Sequence, residues 1–321
     1  MTKARENSDY TGLAADLAGL QTNITAGDTA AKAGRKNLII NGAMQVSQRG
    51  DYTTAISSWT NGAYLMDRLL SYVSGVTATF QDMSGSVKYT ATSTTSGYLG
   101  TEQRIEDYAR LANKVITISA EVKSNSSSAR LMIYNTAYID GTTHTGGGGW
   151  ETLTATITLS GLTRLWYQVW IASSAGGSVS ITSGDYIEVR NIQLEEGSVA
   201  TDFEHRSYGE ELRLCERYFR TIGVGISGTG QDTTKVIFSY EHPVMRANPT
   251  LTMITSASFR ISDDYAQDHA YTSGYSLDYA QTTVLGGRIK VQGMSGLQNG
   301  ERMSILPTSN PVGMFHLSAE L

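Results

Sequence analysis

Residues 115–122 read Val-Ile-Thr-Ile-Ser-Ala-Glu-Val, in which Ile116 and Ile118 alternate with Thr117 and Ser119. A two-residue alternation of apolar and polar side chains is typical of a β-strand with one face in a core. Similar runs, rich in β-branched or aromatic residues, occur at 76–80, 86–92, 130–134, 152–159, 165–171, 178–181 and 186–193. About eight strands between polar turns predict an antiparallel sandwich, for which a jelly roll is the commonest arrangement at this size.

The composition also favours a β-rich protein. The 321 residues include 38 Thr, 34 Ser, 33 Gly and 18 Tyr, but only 4 Pro and 6 Phe. Thr and Tyr favour pleated, half-buried surfaces, and Gly supplies the turns between short strands. The formal net charge of −5 provides no cationic field for nucleic acid or anionic lipid. Because no run approaches the roughly 18 apolar residues that span a bilayer, we expect no membrane insertion.

The residues that carry most enzyme and cofactor chemistry form no motif. The single Cys215 excludes an intrachain disulfide framework and a Cys-based zinc cluster, which favours synthesis in a reducing cytoplasm. The five histidines are scattered, and neither a phosphate-binding loop nor a nucleophile elbow is present. Paired aspartates could serve a glycosidase, but sequence spacing does not place them. We therefore expect no enzyme, no cofactor and no metal.

Residues 1–34 differ from the rest of the chain. Leu13, Leu17 and Leu20 lie on one face of a short helix predicted over 10–21, and an Ala-, Gly- and Thr-rich stretch follows. A helix of about twelve residues is marginal in water by itself, so this narrow apolar stripe must dock on another surface. We interpret 1–34 as a docking helix and linker; a disordered terminus is the alternative.

A second helix is predicted near the middle of the chain. Ser207 and Glu210 have the spacing of a capping box, and a helix is expected over 210–220. Leu212, Cys215 and Phe219 share its apolar stripe, so Cys215 is expected in a core, and the stripe is our candidate contact between subunits. A second β section follows, with strands predicted at 235–240, 250–254, 258–261, 282–285, 288–291, 302–306 and 313–317. The predicted units are 1–34, the sandwich 35–206, the helix 207–220 and a small β domain 221–321.

The best candidate for sugar recognition is the stretch 263–279. Sugar binding needs flat aromatic faces beside short polar groups, and aromatic residues supply them at low conformational-entropy cost. The residues of this stretch that we expect to contact a glycan are Asp264, Tyr265, Asp268, His269, Tyr271, Tyr275 and Tyr279. A long polar connection rich in aromatics is more often functional than an ordinary turn. Packing of some of these tyrosines at a subunit interface is the alternative.

Three tryptophans are further candidates. Trp150 follows four glycines and could stack on a sugar from a loop; alternatively it begins the next strand and faces the core. Trp166 and Trp170 are four residues apart in a strand pattern and therefore share a face. We expect these two in the core, and a sugar-binding cleft of the sandwich is the alternative.

Several segments of the sequence together resemble bacteriophage tail fibre proteins. The opening segment is 36–50, which begins Lys-Asn-Leu-Ile-Ile-Asn-Gly-Ala-Met-Gln-Val. The others are Asp67-Arg68, Glu102–Glu106, Thr117–Val122, Ile192–Arg206, Glu211–Phe219, Met245–Thr250 and Ala319–Leu321. No single segment is specific, but their order and spacing are.

This resemblance implies a carbohydrate-binding-module-like jelly roll, assembly as a homotrimer and a place in the virion as a tail fibre. It further implies that the N-terminus attaches to the tail, the baseplate or an adaptor protein. Distal surfaces would bind a host cell-surface glycan, such as lipopolysaccharide or another polysaccharide. A structural adaptor or collar fibre without receptor contact, and a fibre that depolymerises polysaccharide, are the alternatives.

Overall fold

The protein is mostly β, with one α-helix among the residues described. The computed structural model describes residues 36–321 except 58, 162, 223–225, 254–258, 264–267, 271–275, 294–296, 298–299, 301 and 308–314. For strand residues 253, 259–263, 268–270, 276–281 and 305–307 it describes the backbone alone. The predicted docking helix, with Leu13, Leu17 and Leu20, lies outside the described residues.

The first part of the chain is an antiparallel jelly roll. Its strands are β1 (Ala63–Met66), β2 (Leu69–Ser74), β3 (Ala78–Asp82), β4 (Val87–Ala91), β5 (Thr95–Arg104), β6 (Val115–Ser124), β7 (Ala129–Tyr134), β8 (Tyr138–Thr143), β9 (Trp150–Thr158), β10 (Trp166–Ile171), β11 (Val179–Ile181) and β12 (Tyr186–Glu196). A seven-stranded sheet has the order β1-β2-β5-β10-β7-β8, with β11 also paired to β5. A five-stranded sheet has the order β3-β4-β12-β6-β9. The chain therefore crosses repeatedly between the sheets, as a jelly roll requires.

A single core fills the space between these two sheets. Phe80 and Tyr89 enter it from the five-stranded sheet, and Leu99 and Tyr167 enter from the seven-stranded sheet; all four are at most 1% exposed. The predicted jelly roll is confirmed, and each of its eight predicted strands overlaps an observed one. Strands β1, β2, β5 and β8 are not among the predicted ones. Strand β5 contains Gly97 and Gly100 among polar residues, so it shows no clean alternation.

The one α-helix among the described residues, α1, covers Tyr208–Glu216. The amide of Glu210 donates to Ser207 Oγ at 3.4 Å, so the predicted N-cap is confirmed. The predicted end at 220 is wrong because Phe219 already belongs to a strand. Cys215 is 0% exposed and Phe219 is 2% exposed inside this chain. Leu212 is half-buried. The subunit contact predicted for Leu212, Cys215 and Phe219 stays a prediction.

The remainder of the chain forms a second β unit with its own core. Its strands are β13 (Phe219–Ile222), β14 (Ser227–Gly230), β15 (Lys235–Glu241), β16 (Thr250–Met253), β17 (Phe259–Asp263), β18 (Asp268–Ala270), β19 (Ser276–Thr283), β20 (Gly286–Gln292), β21 (Arg302–Pro307) and β22 (Phe315–Ser318). One sheet has the order β13-β22-β16, and the other has the order β18-β17-β21-β14-β15-β20-β19. Phe238, Val291 and Phe315 lie in the core between them. We call this unit the distal domain, because it lies farther along the chain from residue 1.

The last residues of the sequence join the distal domain to the jelly roll. The Glu320 carboxylate pairs with Arg49 at 2.6 Å and with Arg68, and the side chains of Glu320 and Arg68 are 6% and 2% exposed. The Leu321 carbonyl accepts hydrogen bonds from Tyr64 Oη at 3.1 Å and from Arg104 Nη1 at 2.8 Å. This junction, which we call the domain seam, therefore contains buried charges.

Asp67 is a buried carboxyl group at the domain seam. Its Oδ2 accepts the Gln48 amide at 2.6 Å and its Oδ1 accepts Gln48 Nε2 at 3.0 Å, while Gln48 Nε2 also donates to the carbonyl of Phe219 in the distal domain. Burial raises the pKa of Asp67 from 3.8 to about 6, against the opposing effect of Arg49. The folded protein therefore holds the proton of Asp67 more tightly than the unfolded chain does.

We expect Asp67 to make the protein less stable as the pH rises from about 4 to about 6. Because its pKa is higher in the folded state, its contribution is fully present below the unfolded-state pKa and is lost as the pH passes the folded-state value. The size of the loss is about 2–3 kcal/mol. The measurement is the free energy of unfolding of the wild type minus that of Asp67→Asn at pH 4, 5, 6 and 7. A difference that is constant over this range would contradict the prediction.

Candidate functional site

Aromatic side chains gather on the outer face of the seven-stranded sheet, away from the main core. They come from strands β2, β5, β7, β8 and β10 and are Tyr72, Tyr98, Tyr134, Tyr138, Trp166 and Trp170. We call this set the aromatic platform. Strand order explains it, because β10 lies between β5 and β7, β2 lies beyond β5, and β8 lies beyond β7. Residues at alternate positions of these strands therefore share the outer face.

Trp170 is the centre of the platform. Its ring stacks on Tyr98 at a centroid distance of 5.0 Å and an interplanar angle of 10°, and Tyr72 and Tyr138 lie at 5.4 and 6.2 Å. Trp170 is 3% exposed, whereas the three tyrosines are half-buried. Gly100 faces Trp170 across the β5–β10 pair, and a Cβ there would lie 2.7 Å from the Trp170 ring. The absence of a side chain at this position is what allows the indole to lie against β5.

A second aromatic stack lies four residues earlier on β10, at its first residue. Trp166 stacks on Tyr134 at 5.1 Å, and Tyr134 contacts Tyr138 at 4.7 Å. The guanidinium of Arg104 lies 4.6 Å from the Trp166 ring, and that of Arg164 lies 5.2 Å from it. Such cation–π contacts hold the arginines flat against the ring. The platform thus continues from Tyr72 to Trp166 as a row of aromatic faces edged by cations.

Polar groups cross the platform between its two stacks. Glu102 Oε2 accepts from Gln168 Nε2 at 2.9 Å, and Glu102 Oε1 accepts from Arg104 Nε at 3.2 Å. Burial raises the pKa of Glu102, and its hydrogen bonds from Gln168 and Arg104 oppose this rise. Gln168 Oε1 and Trp170 Nε1 are buried and have no hydrogen-bond partner among the described residues. Both atoms are sealed from solvent, whereas the Arg104 side chain is 28% exposed and offers hydrogen-bond donors at the surface of this face.

One edge of the platform is closed by a short turn over Ser174–Gly176. Ser174 Oγ donates to the Asp140 carboxylate of β8, and Arg130 Nη1 lies 3.5 Å from the same carboxylate. Gly176 has a φ of 71°, and a Cβ there would lie 2.9 Å from the ring of Tyr138. The turn therefore packs directly on Tyr138 and fixes one boundary of the platform.

The structure places Trp150, a predicted glycan contact, elsewhere. Trp150 begins β9 on the outer face of the five-stranded sheet and is 36% exposed, so it does not face the core. The Arg190 guanidinium lies 4.1 Å from its ring centroid. One face of the indole is thus occupied by a cation, and Trp150 does not join the aromatic platform.

The predicted glycan contacts in 263–279 are described only in part. Asp264, Tyr265, Tyr271 and Tyr275 lie outside the described residues. Asp268 and His269 belong to β18 and Tyr279 belongs to β19, each with the backbone alone described. Contrary to our expectation, the stretch is not one long connection, because it contains strand backbone. The glycan contacts predicted for these seven residues stay a prediction.

The sequence pattern predicts part of the platform but not the rest. It placed Trp166 and Trp170 on one face and preferred the core; the structure places both on the outer face of the sheet. It missed Tyr72, Tyr98 and Tyr138, whose strands β2, β5 and β8 were not predicted. The available signal was Tyr at both 72 and 98 in segments of mixed polarity, and it was too weak to assign a strand.

Neither a protein-family model nor a curated protein matches this chain. Solved carbohydrate-binding modules are similar in structure. The CBM22-1 xylan-binding domain of Xyn10C from Paenibacillus barcinonensis is 14% identical over 52% of this chain and 100% of that chain, with a TM-score of 0.28. The family 11 module of the cellulase Lic26A-Cel5E from Clostridium thermocellum is 16% identical over 50% and 95%, with a TM-score of 0.25.

A third module, a mutant of CBM29-2 complexed with mannohexaose, is 14% identical over 48% of this chain and 98% of that chain, with a TM-score of 0.27. Because all three TM-scores are below 0.5, the fold assignment rests on the strand order given above and the function on the site itself.

Within the described residues, no helix is long and apolar enough to cross a membrane. Nor do three or more His, Cys, Asp or Glu side chains come together there as a metal site.

Proposed function

We propose that this protein is a non-enzymatic glycan-binding subunit of a bacteriophage tail fibre, and that the aromatic platform binds the glycan. The observation that carries glycan binding is the row of half-buried tyrosine rings beside the partly exposed Arg104 guanidinium on one sheet face. Pyranose rings present C–H faces to aromatic rings and hydroxyl groups to polar atoms. The Arg104 guanidinium, whose side chain is 28% exposed, can donate to a hydroxyl oxygen.

The tail fibre part of the proposal is supported by the sequence segments that resemble such proteins. In this role the protein is a homotrimer that attaches through 1–34 to the tail, the baseplate or an adaptor and meets the host surface with its β domains. Trimerisation has a physical advantage, because a single shallow sugar site often has only millimolar affinity. Linked sites gain about 10²–10⁴ in avidity where the geometry lets them bind together.

We expect the purified protein to bind oligosaccharides on a glycan array, and Tyr98→Ala to lower the affinity by about tenfold. Tyr98 supplies a half-buried ring that stacks on Trp170, and truncating an aromatic contact at a binding site commonly costs more than about 1 kcal/mol. Titration calorimetry with the strongest array ligand is the measurement. The same mixtures, assayed for reducing ends, are expected to release no sugar.

Tyr186→Ala is the matched control. Tyr186 is also a half-buried strand tyrosine, but it lies in the five-stranded sheet with Lys88 4.5 Å from its ring. We expect this variant to bind as the wild type does. Equal losses in both variants would remove the platform as the site, and released reducing sugar would show a depolymerase. Binding of no glycan at all would favour an adaptor or collar fibre.

A further inference from the structure

The segment Ala319–Leu321, which we call the terminal segment, leaves the distal domain and reaches the jelly roll. Strand β22 is the central strand of its sheet, so the preceding residues are anchored on both sides. Arg246 then holds the terminal segment by donating to the Ala319 carbonyl at 2.7 Å and to the Glu320 carbonyl at 2.9 Å. The terminal segment is therefore a fixed part of the distal domain up to the point where it meets the jelly roll.

Arg104 is the residue at which the terminal segment meets the aromatic platform. Its Nη1 donates to the Leu321 carbonyl at 2.8 Å, its Nη2 donates to Tyr72 Oη at 3.3 Å, and its Nε donates to Glu102. Its guanidinium also lies 4.6 Å from the Trp166 ring. One planar cation thus contacts the distal domain and members of both aromatic stacks at the same time.

A second connection fixes the backbone at the same place. Arg68 Nη2 donates to the Arg104 carbonyl at 2.8 Å, and Arg68 Nη1 pairs with the Glu320 carboxylate. Arg68 is 1% exposed, and its guanidinium lies 3.7 Å from the ring centroid of Tyr218. The side chain and the backbone of Arg104 are therefore each held by a residue of the terminal segment, Leu321 directly and Glu320 through Arg68.

We propose that Arg104 is a positioning residue of the aromatic platform and that the terminal segment of the distal domain holds it in its working geometry. The bond to the Leu321 carbonyl is the only hydrogen bond of the Arg104 side chain outside the jelly roll among the residues that the structure describes. Removing it frees one edge of the guanidinium, which can then leave the Trp166 face. The effect of this positioning on sugar affinity rests on the proposed function.

Coupling of this kind is reciprocal. If docking of the terminal segment improves glycan affinity by some factor, then bound glycan strengthens docking of the terminal segment by the same factor. A glycan bound at the platform would therefore tighten the domain seam through Arg104. Ligand binding to the jelly roll would in this way stabilise its contact with the distal domain.

The test uses the full chain without residue 321, and its first measurement needs no glycan. We expect acrylamide to quench the tryptophan fluorescence of this variant more strongly than that of the wild type, because Trp166 loses the cover of Arg104. The increase must disappear in a Trp166→Phe background, which assigns it to this ring. Tyr64→Phe, which removes only the other donor to Leu321, is a milder variant that should show a smaller increase.

Glu196→Gln is the matched control, since it breaks an exposed ion pair with Lys114 that includes no residue of the domain seam. It should leave quenching unchanged. Unchanged quenching in both the truncated and the Tyr64→Phe protein, with native circular dichroism, would overturn the inference. If the wild type binds a glycan, the truncated protein should bind it about fivefold or more weakly. If the wild type binds none, the proposed function fails while the quenching result still decides whether the terminal segment positions Arg104.

Discussion

Replacing Glu320 by alanine is expected to lower the free energy of unfolding by about 3–5 kcal/mol, because it leaves buried positive charge without its partner. Arg68 is 2% exposed in its side chain and Arg49 is 12% exposed, and both pair with the one Glu320 carboxylate. Neither arginine can turn to water without leaving the domain seam. Replacing a whole buried ion pair by apolar residues often changes the free energy of unfolding little. Removing only one partner costs far more, because the other charge stays buried without a counter-ion.

The measurement is urea unfolding followed by circular dichroism, with Glu196→Ala as control. Glu196 pairs with Lys114 at 2.8 Å, but both side chains are more than 40% exposed, so this loss should be at most about 1 kcal/mol. A change below about 1 kcal/mol for Glu320→Ala would show that the domain seam contributes little to stability. Glu320→Gln keeps the size of the side chain, so its loss of unfolding free energy should lie between those of Glu320→Ala and Glu196→Ala.

The second large effect is expected at the centre of the aromatic platform. Trp170→Ala should lower glycan affinity by more than about 100-fold, because it removes the ring against which Tyr72, Tyr98 and Tyr138 are all oriented and leaves a hot-spot cavity. It should also lower the free energy of unfolding by about 3–5 kcal/mol, as is usual when a buried tryptophan is truncated. Trp170→Phe keeps an aromatic ring, so we expect smaller losses of both glycan affinity and unfolding free energy. Comparing the two variants separates the effect on binding from the effect on stability.

Trp150→Ala is the control for this experiment. Trp150 lies on the other sheet, and we expect its replacement to leave affinity unchanged. Loss of binding in Trp150→Ala, together with full binding in Trp170→Phe, would place the receptor contact on the five-stranded sheet. The measurement is again calorimetric titration with the glycan selected on the array.

Local patterns in the sequence were sufficient for the features that depend on neighbours along the chain. Alternation over 115–122 predicted β6, and Ser207 with Glu210 predicted the start of α1. The burial of Cys215 followed from its helical stripe. Each depends on side chains two to four residues apart, which lie on one face whatever the rest of the protein does. The end of α1 was misjudged because the last predicted turn pairs instead with β22, about a hundred residues later.

The aromatic platform depends on the tertiary structure. The sequence by itself determined that Trp166 and Trp170 share a face, since strand geometry requires it. Only the order β2-β5-β10-β7-β8 decided that this face points outward and that tyrosines from four other strands surround it. The same holds for the pair of Arg68 with Glu320, which are 252 residues apart. Strands and charges that are distant in sequence pair in the arrangement that buries the core and satisfies the charges. No local pattern contains that information.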